Sequence, residues 1–433
     1  RSSNPVYRNL LSVGTGLPRL GQIRRRLTVD HGLLLVYLFG ENGGYLLAVG
    51  ESSERLSKLT VDETAARTLG IKAGPLTARQ LQAALLNETK TGIVQLLATP
   101  ETALQATSKL AALWPLLIPE VWRKEIAAGR FNRLIVIPDG PLALLPMETL
   151  VVEVGDDPKY VLDLGVPVIY GPSATVLFNL ADPARIRKTE GHNPVLTVGD
   201  PVYQGKGDES ARPGAGALAS VTSRSRYAVF GQKLPSLPFS GVESTWVAED
   251  FNKEGMKATL LAKENATEAK VRQQMAGSRI IHLACHGLAE QSYGNFFGAL
   301  ILTPGPNADT DPSDDGLLTL AEIYELNLKG CELSILSACE TNYGPQQQGE
   351  GVWALSRGFL VAGSRRVVAS NWLVDDEAAA SLVSYFAAGV ARGEKRGHAD
   401  FARTLYDAKR WVRQQDKWRS PFYWGTFVLV GPQ

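Results

Sequence analysis

Arg279-Ile280-Ile281-His282-Leu283-Ala284-Cys285-His286-Gly287 and Glu332-Leu333-Ser334-Ile335-Leu336-Ser337-Ala338-Cys339-Glu340-Thr341 decide how this chain is read. Each is a short run rich in Ile and Leu, the composition of a strand buried on both faces, and each ends in a polar, reactive residue. Open parallel sheets place their ligand sites at the carboxyl ends of their strands. If the two strands are neighbours, the imidazole of His286 and the thiol of Cys339 stand side by side at one edge of the sheet.

The surrounding sequence supports such a sheet. Further apolar runs at 195–198, 258–261, 366–369 and 426–430 alternate with helical periodicity at 242–252, 267–275, 320–324, 351–361, 377–391 and 399–413. Alternation of this kind argues for an α/β fold, a mainly parallel sheet with helices on both faces. A hairpin-like run at 298–302 is expected beside it. Upstream, the runs 32–37 and 45–49 flank Gly40-Glu41-Asn42-Gly43-Gly44 and read as a hairpin. Residues 77–126 carry three- and four-residue apolar spacing and read as helical, whereas 133–137 and 166–170 read as short strands.

At 433 residues the chain exceeds the roughly 250 at which single cores stop growing, so two domains are expected, 1–190 and 191–433. Two insertions, 204–237 and 304–316, interrupt the second series as long polar loops.

The composition, 44% hydrophobic and 21% charged, is globular, and a net charge of +1 gives no electrostatic reason to expect nucleic acid as a partner. Three cysteines do not make a disulfide framework, which points to a reducing, cytoplasmic setting. No apolar run has the length of a membrane span, so no membrane partner is expected. Because Arg1 is not Met, the chain is expected to be the C-terminal portion of a longer protein that contains repeats.

A histidine beside a cysteine suffices for peptide-bond cleavage. The imidazole takes the thiol proton and later protonates the leaving amine, and no metal or cofactor is required. The backbone N–H groups of Gly287 and Cys339 are the candidate donors to the carbonyl oxygen, each such donor being worth about 3 kcal/mol in the transition state. His282 shares a strand face with His286 but lies mid-strand, as a hydrogen-bonded core residue would. A zinc site from His282, Cys285, His286 and Cys339 is disfavoured, because strand neighbours point apart and the spacing matches no common zinc module. Cys331 opens its strand and reads as inert, while His31, His192 and His398 read as surface or loop residues.

The stretches Ile281-His282-Leu283-Ala284-Cys285-His286-Gly287 and Leu336-Ser337-Ala338-Cys339-Glu340-Thr341 closely resemble the two signature motifs of the CHAT family, caspase-like proteases often found with TPR repeats. Other stretches match in order: Pro138-Asp139-Gly140 with Leu145-Pro146, Tyr170-Gly171-Pro172-Ser173-Ala174-Thr175, Val198-Gly199-Asp200-Pro201, Leu237-Pro238 before Glu243, and Asn371-Trp372-Leu373-Val374-Asp375-Asp376. The resemblance covers nearly the whole chain. It implies a fold of the caspase and separase kind, with His286 as base, Cys339 as nucleophile and Gly287 in the oxyanion hole. It also implies that the first half is a degenerate, non-catalytic companion.

Ser337 stands where several relatives of the wider clan carry an acid, so their preference for basic substrates does not transfer through that position. Asp200, Asp375 and Asp376 are the alternative carboxylates for a basic side chain. Asp375 also suits a helix cap, and Trp372 is a candidate for an apolar subsite. The expected function is a cysteine endopeptidase acting on a protein substrate under control of a partner or upstream repeats. The competing reading is a scaffold or adaptor that uses a protease fold to bind partners. An α/β hydrolase is disfavoured by the lack of a Gly-x-Ser-x-Gly elbow.

Overall fold

A computed structural model describes residues 18–181, 194–203, 234–289, 295, 298–308, 310–347, 351–352 and 354–433. Most of the 204–237 insertion, the residues around Arg1, and His192 lie outside them.

Twelve strands form one continuous sheet. In chain order they are β1 (Gly32–Phe39), β2 (Gly44–Val49), β3 (Glu54–Val61), β4 (Gly74–Pro75), β5 (Arg133–Ile137), β6 (Val168–Tyr170), β7 (Val195–Pro201), β8 (Ala258–Lys263), β9 (Ile280–Ala284), β10 (Leu333–Ser337), β11 (Val367–Ser370) and β12 (Phe427–Val430). Across the sheet they run β8-β7-β9-β10-β11-β12-β6-β5-β1-β2-β3-β4.

From β8 to β11 every pairing is parallel. The last strand, β12, then runs antiparallel to β11 and parallel to β6, which continues parallel through β5 to β1. The sheet is therefore mainly parallel, in two runs of opposite sense joined through the C-terminal strand.

Side-chain alternation along the strands explains the layers. In β11, Val368 packs into one core while Val367 and Ala369 pack into the other, as the two-residue period of a strand requires. Helices Pro238–Lys253, Asp376–Lys395 and Phe401–Arg413 bury Val247, Phe251, Leu382, Phe386 and Leu405 on the first face. Helices Glu268–Met275 and Leu355–Ala362 bury Val271, Met275 and Phe359 on the second. The mainly parallel sheet with helices on both faces expected from the sequence is the one observed.

Three local differences have physical causes. Strand β3 was not legible, because only Leu59 and Val61 of its eight residues are buried and the rest are largely polar. The 298–302 run contributes Ala299–Ile301, which pairs with His286–Leu288 and Leu317–Thr319 in a separate ribbon rather than with the main sheet. The helix expected from 351 begins at Leu355, because Gly351–Val352 pairs with Gln346–Gln347.

Candidate active site

Strands β9 and β10 are neighbours in register, Ala284 opposite Ser337, so His286 and Cys339 each lie two residues past matched strand ends. The N–H of Cys285 donates to the Ser337 carbonyl at 3.3 Å and keeps the two chains together beyond the last paired residues. A Cβ placed on Gly287 would lie 2.2 Å from the Cys339 carbonyl oxygen and 3.3 Å from its nitrogen. Only a residue without a side chain permits that approach. The backbones that carry the candidate base and nucleophile are thus in direct contact.

His286 is half-buried. Its Nε2 lies 2.8 Å from the Pro235 carbonyl, its N–H donates to the Tyr203 hydroxyl at 3.3 Å, and its ring packs against the Tyr203 ring with centroids 4.8 Å apart. A carbonyl only accepts, so Nε2 is the donor and Nδ1 is left as the basic nitrogen of the neutral ring. Burial lowers the imidazole pKa below its usual 6.5, opposed by the Pro235 carbonyl. The thiol behaves oppositely. Burial raises the Cys339 pKa above 9.0, the Val374 N–H opposes the rise, and the charges of Glu340 and Asp376 reinforce it. At pH 7 both shifts favour a protonated thiol and a neutral ring over an ion pair between the two.

The backbone on both sides of the site takes unusual conformations. Glu340, directly after Cys339, has φ 55° and Asp200 has φ 49°, in the left-handed region that costs non-glycine residues energy. Asp200 falls where the β7–β8 register shifts, opposite the Ala262/Lys263 step. Its N–H donates to Ser240 Oγ at 2.9 Å, and its carboxylate lies above Gly241, the spot where a Gly241 Cβ would come within 3.5 Å of Oδ2. Asp376 accepts from the Phe239 N–H at 3.0 Å. Burial raises its pKa, and the charges of Glu243, Asp375 and Asp200 add to the rise. The start of helix Pro238–Lys253 thus gathers Asp200, Glu243 and Asp376, the last close enough to Cys339 to act on its thiol.

Glu243 was not singled out as a site residue from the sequence. It is 2% exposed and joins both signature strands: Oε1 lies 2.7 Å from His282 Nε2, and Oε2 accepts from Ser337 Oγ at 3.1 Å. His282 Nδ1 in turn lies 2.7 Å from Thr197 Oγ1. His282 is therefore a saturated core residue, and the position that lacks an acid on the strand, Ser337, bonds to one supplied by a helix. The partners are 39 and 94 residues from Glu243, too far apart for spacing to reveal.

Two candidates serve other ends. Asp375 Oδ1 accepts from the Ala378 N–H at 2.9 Å and caps helix Asp376–Lys395. Trp372 is 2% exposed, with its indole N–H donated to the Phe422 carbonyl at 3.1 Å, so its side chain packs in the core instead of lining a groove. Cys285 and Cys331 are buried, and burial pushes the Cys285 thiol up to about 12. Among the described residues, no helix is long and apolar enough to cross a membrane.

Fold and site together define an α/β protein that carries a histidine and a cysteine just past the ends of two neighbouring parallel strands. The chain belongs to the CHAT-domain family, whose model matches residues 107–432. It is 30% identical over 124 residues to Tetratricopeptide repeat protein 28 of Homo sapiens and 29% identical to that of Mus musculus. Each alignment covers 29% of this chain and 5% of the relative, so the chain spans a small part of their length. Among solved structures it is similar to Saccharomyces cerevisiae separase in complex with securin, at 10% identity and TM-score 0.47, over 95% of this chain and 30% of that one. It is also similar to the Arg-specific cysteine proteinase gingipain R, at 10% identity and TM-score 0.42, over 73% of this chain and 67% of that one.

Proposed function

We propose that this chain is a cysteine endopeptidase in which Cys339 attacks a peptide carbonyl and His286 acts first as base and then as acid. The observation that carries the reading is the contact of the Gly287 and Cys339 backbones at the ends of adjacent parallel strands. Sulfur bonds to the carbonyl carbon as its proton passes to the imidazole. The C–N bond then breaks as that proton goes to the leaving amine, and water, deprotonated by the same ring, releases the acyl group. The N–H groups of Gly287 and Cys339 are the proposed oxyanion donors. Residues 1–190 act as a companion without chemistry of their own. The names of the curated relatives favour control by tetratricopeptide repeats in a longer protein.

Asp200, Asp376 and the buried Glu243 favour a basic side chain at the cleaved position, since a guanidinium or ammonium finds its strongest partner in a desolvated carboxylate. A screen for new protein termini, comparing the unaltered chain with Cys339→Ala, tests the reading. Termini after Arg or Lys that vanish in the variant support it, and an unchanged set of termini rejects it.

The scaffold reading keeps one supporting observation, the Pro235 carbonyl already bonded to His286 Nε2. Thiol-probe labelling of the purified chain alone, against labelling with a partner present, separates the two.

A further inference from the structure

Strand β11 ends at Ser370, and Ser370 and the two residues that follow it, Asn371 and Trp372, hold the segment that follows Cys339. The Ser370 carbonyl accepts from the Asn342 N–H at 2.8 Å, Ser370 Oγ accepts from the Thr341 N–H at 3.3 Å, and the Trp372 carbonyl lies 3.5 Å from the Glu340 N–H. Asn371, 1% exposed, reaches in the other direction as well. Its Nδ2 donates to the Leu144 carbonyl at 3.1 Å, its Oδ1 accepts from Asn342 Nδ2 at 2.7 Å, and its N–H donates to the Thr426 carbonyl at 2.9 Å. Ser356 Oγ donates to Asn342 Oδ1 at 2.7 Å and so completes the run.

The direction of these bonds is fixed. Leu144 O is a backbone carbonyl and can only accept, so Asn371 must present its NH₂ there and its oxygen to Asn342. Asn342 must then present its oxygen to Ser356. Neither Asp nor Leu at 371 reproduces this: a carboxylate meets the Leu144 carbonyl with no proton to give, and an apolar side chain leaves Asn342 and Leu144 unpaired. Leu144 ends the 3-10 turn Gly140–Leu144, which follows β5 in the first half of the chain. Asn342 lies three residues past Cys339.

We infer that Asn371 is a positioning residue for Cys339, tying the first-half turn at Leu144 to the nucleophile segment through the Asn371–Asn342 amide pair. The inference rests on the proposed role of Cys339. It goes beyond that role by making a first-half turn part of what sets the thiol's orientation. Asn371 touches no reacting atom, and its effect passes entirely through the segment 340–342.

The test is the rate of Cys339 alkylation by iodoacetamide in the purified 433-residue chain, read by peptide mass mapping between pH 7 and 10. The buried Cys285 and Cys331 serve as internal references. Asn371→Asp should slow alkylation at least tenfold per folded molecule and alter its pH profile, because small misplacements of a reacting group cost up to about 10²-fold. Asn342→Ala, which removes the amide pair from the loop side, should act in the same direction and should add nothing in the Asn371→Asp background. Should Asn371→Asp fail to fold, Asn342→Ala alone carries the test. Leu142→Ala, which loosens the first-half turn, should change the rate in the parent chain but not in Asn342→Ala. Folded variants whose Cys339 alkylates like the parent at every pH would overturn the inference and make Asn371 a packing residue. If the parent alkylates at Cys339 yet cleaves no peptide, the endopeptidase reading fails while the positioning measurement stands. If it cleaves, kcat should fall in the variants with KM nearly unchanged.

Discussion

Gly287 is the residue at which sequence, geometry and proposed chemistry meet most directly. Its missing side chain lets two backbones touch, and any Cβ would sit 2.2 Å from the Cys339 carbonyl oxygen. Gly287→Ala is expected to push the strand ends apart, to lower kcat/KM by about 10²-fold or more, and to lower the melting temperature as well, because the clash is with backbone. Steady-state kinetics beside a melting curve checks both halves of that statement. The titrating pair gives a second expectation. Because the His286 pKa is lowered, the ring stays a base below pH 6.5, so the acid limb of kcat/KM should fall below that value. Because the Cys339 pKa is raised, alkylation of the free chain should keep rising above pH 9.0. A plateau already reached at pH 7 would instead mean a standing thiolate. The neighbouring strand ends at His286 and Cys339 were legible as apolar runs, and the roles proposed for the two residues came from the resemblance of the flanking stretches to the family's signature motifs. Glu243 was not legible, because its two partners belong to other strands, and the burial of Trp372 depends on helices packed far from it in sequence.

At the scale of elements, the strands of the second half announced themselves through Ile, Val and Leu runs, whereas β3 showed mostly Glu, Arg, Ser and Lys. What no local pattern carried was the order of pairing, since β12 reaches β6 across more than half the chain. Near that seam a buried ion pair fastens helix Phe401–Arg413 to the first half. Lys409, 1% exposed, meets Glu148, which also accepts from the Tyr170 hydroxyl. Lys409→Met leaves the Glu148 carboxylate buried without its cation and should cost about 3–5 kcal/mol of stability. Replacing both, as Lys409→Met with Glu148→Gln, should recover much of it, and urea unfolding of the two variants reads the difference.

Across the whole molecule, one sheet spans both halves through β12, and the largest apolar core draws Leu33 and Leu117 from the first half together with Phe251, Leu382 and Phe427 from the second. Burial shared in this way couples the stability of the halves, and the proposed tie between the Leu144 turn and the Cys339 segment runs within that shared structure. The account stands on Cys339 as the nucleophile with His286 as its base. Its most direct measurement is mass-spectrometric mapping of the residue modified by a peptide chloromethyl ketone ending in Arg, in the parent chain and in His286→Ala. The account predicts modification at Cys339 in the parent and a large loss of rate in the variant. Equal labelling of both, or labelling at another residue, would contradict it.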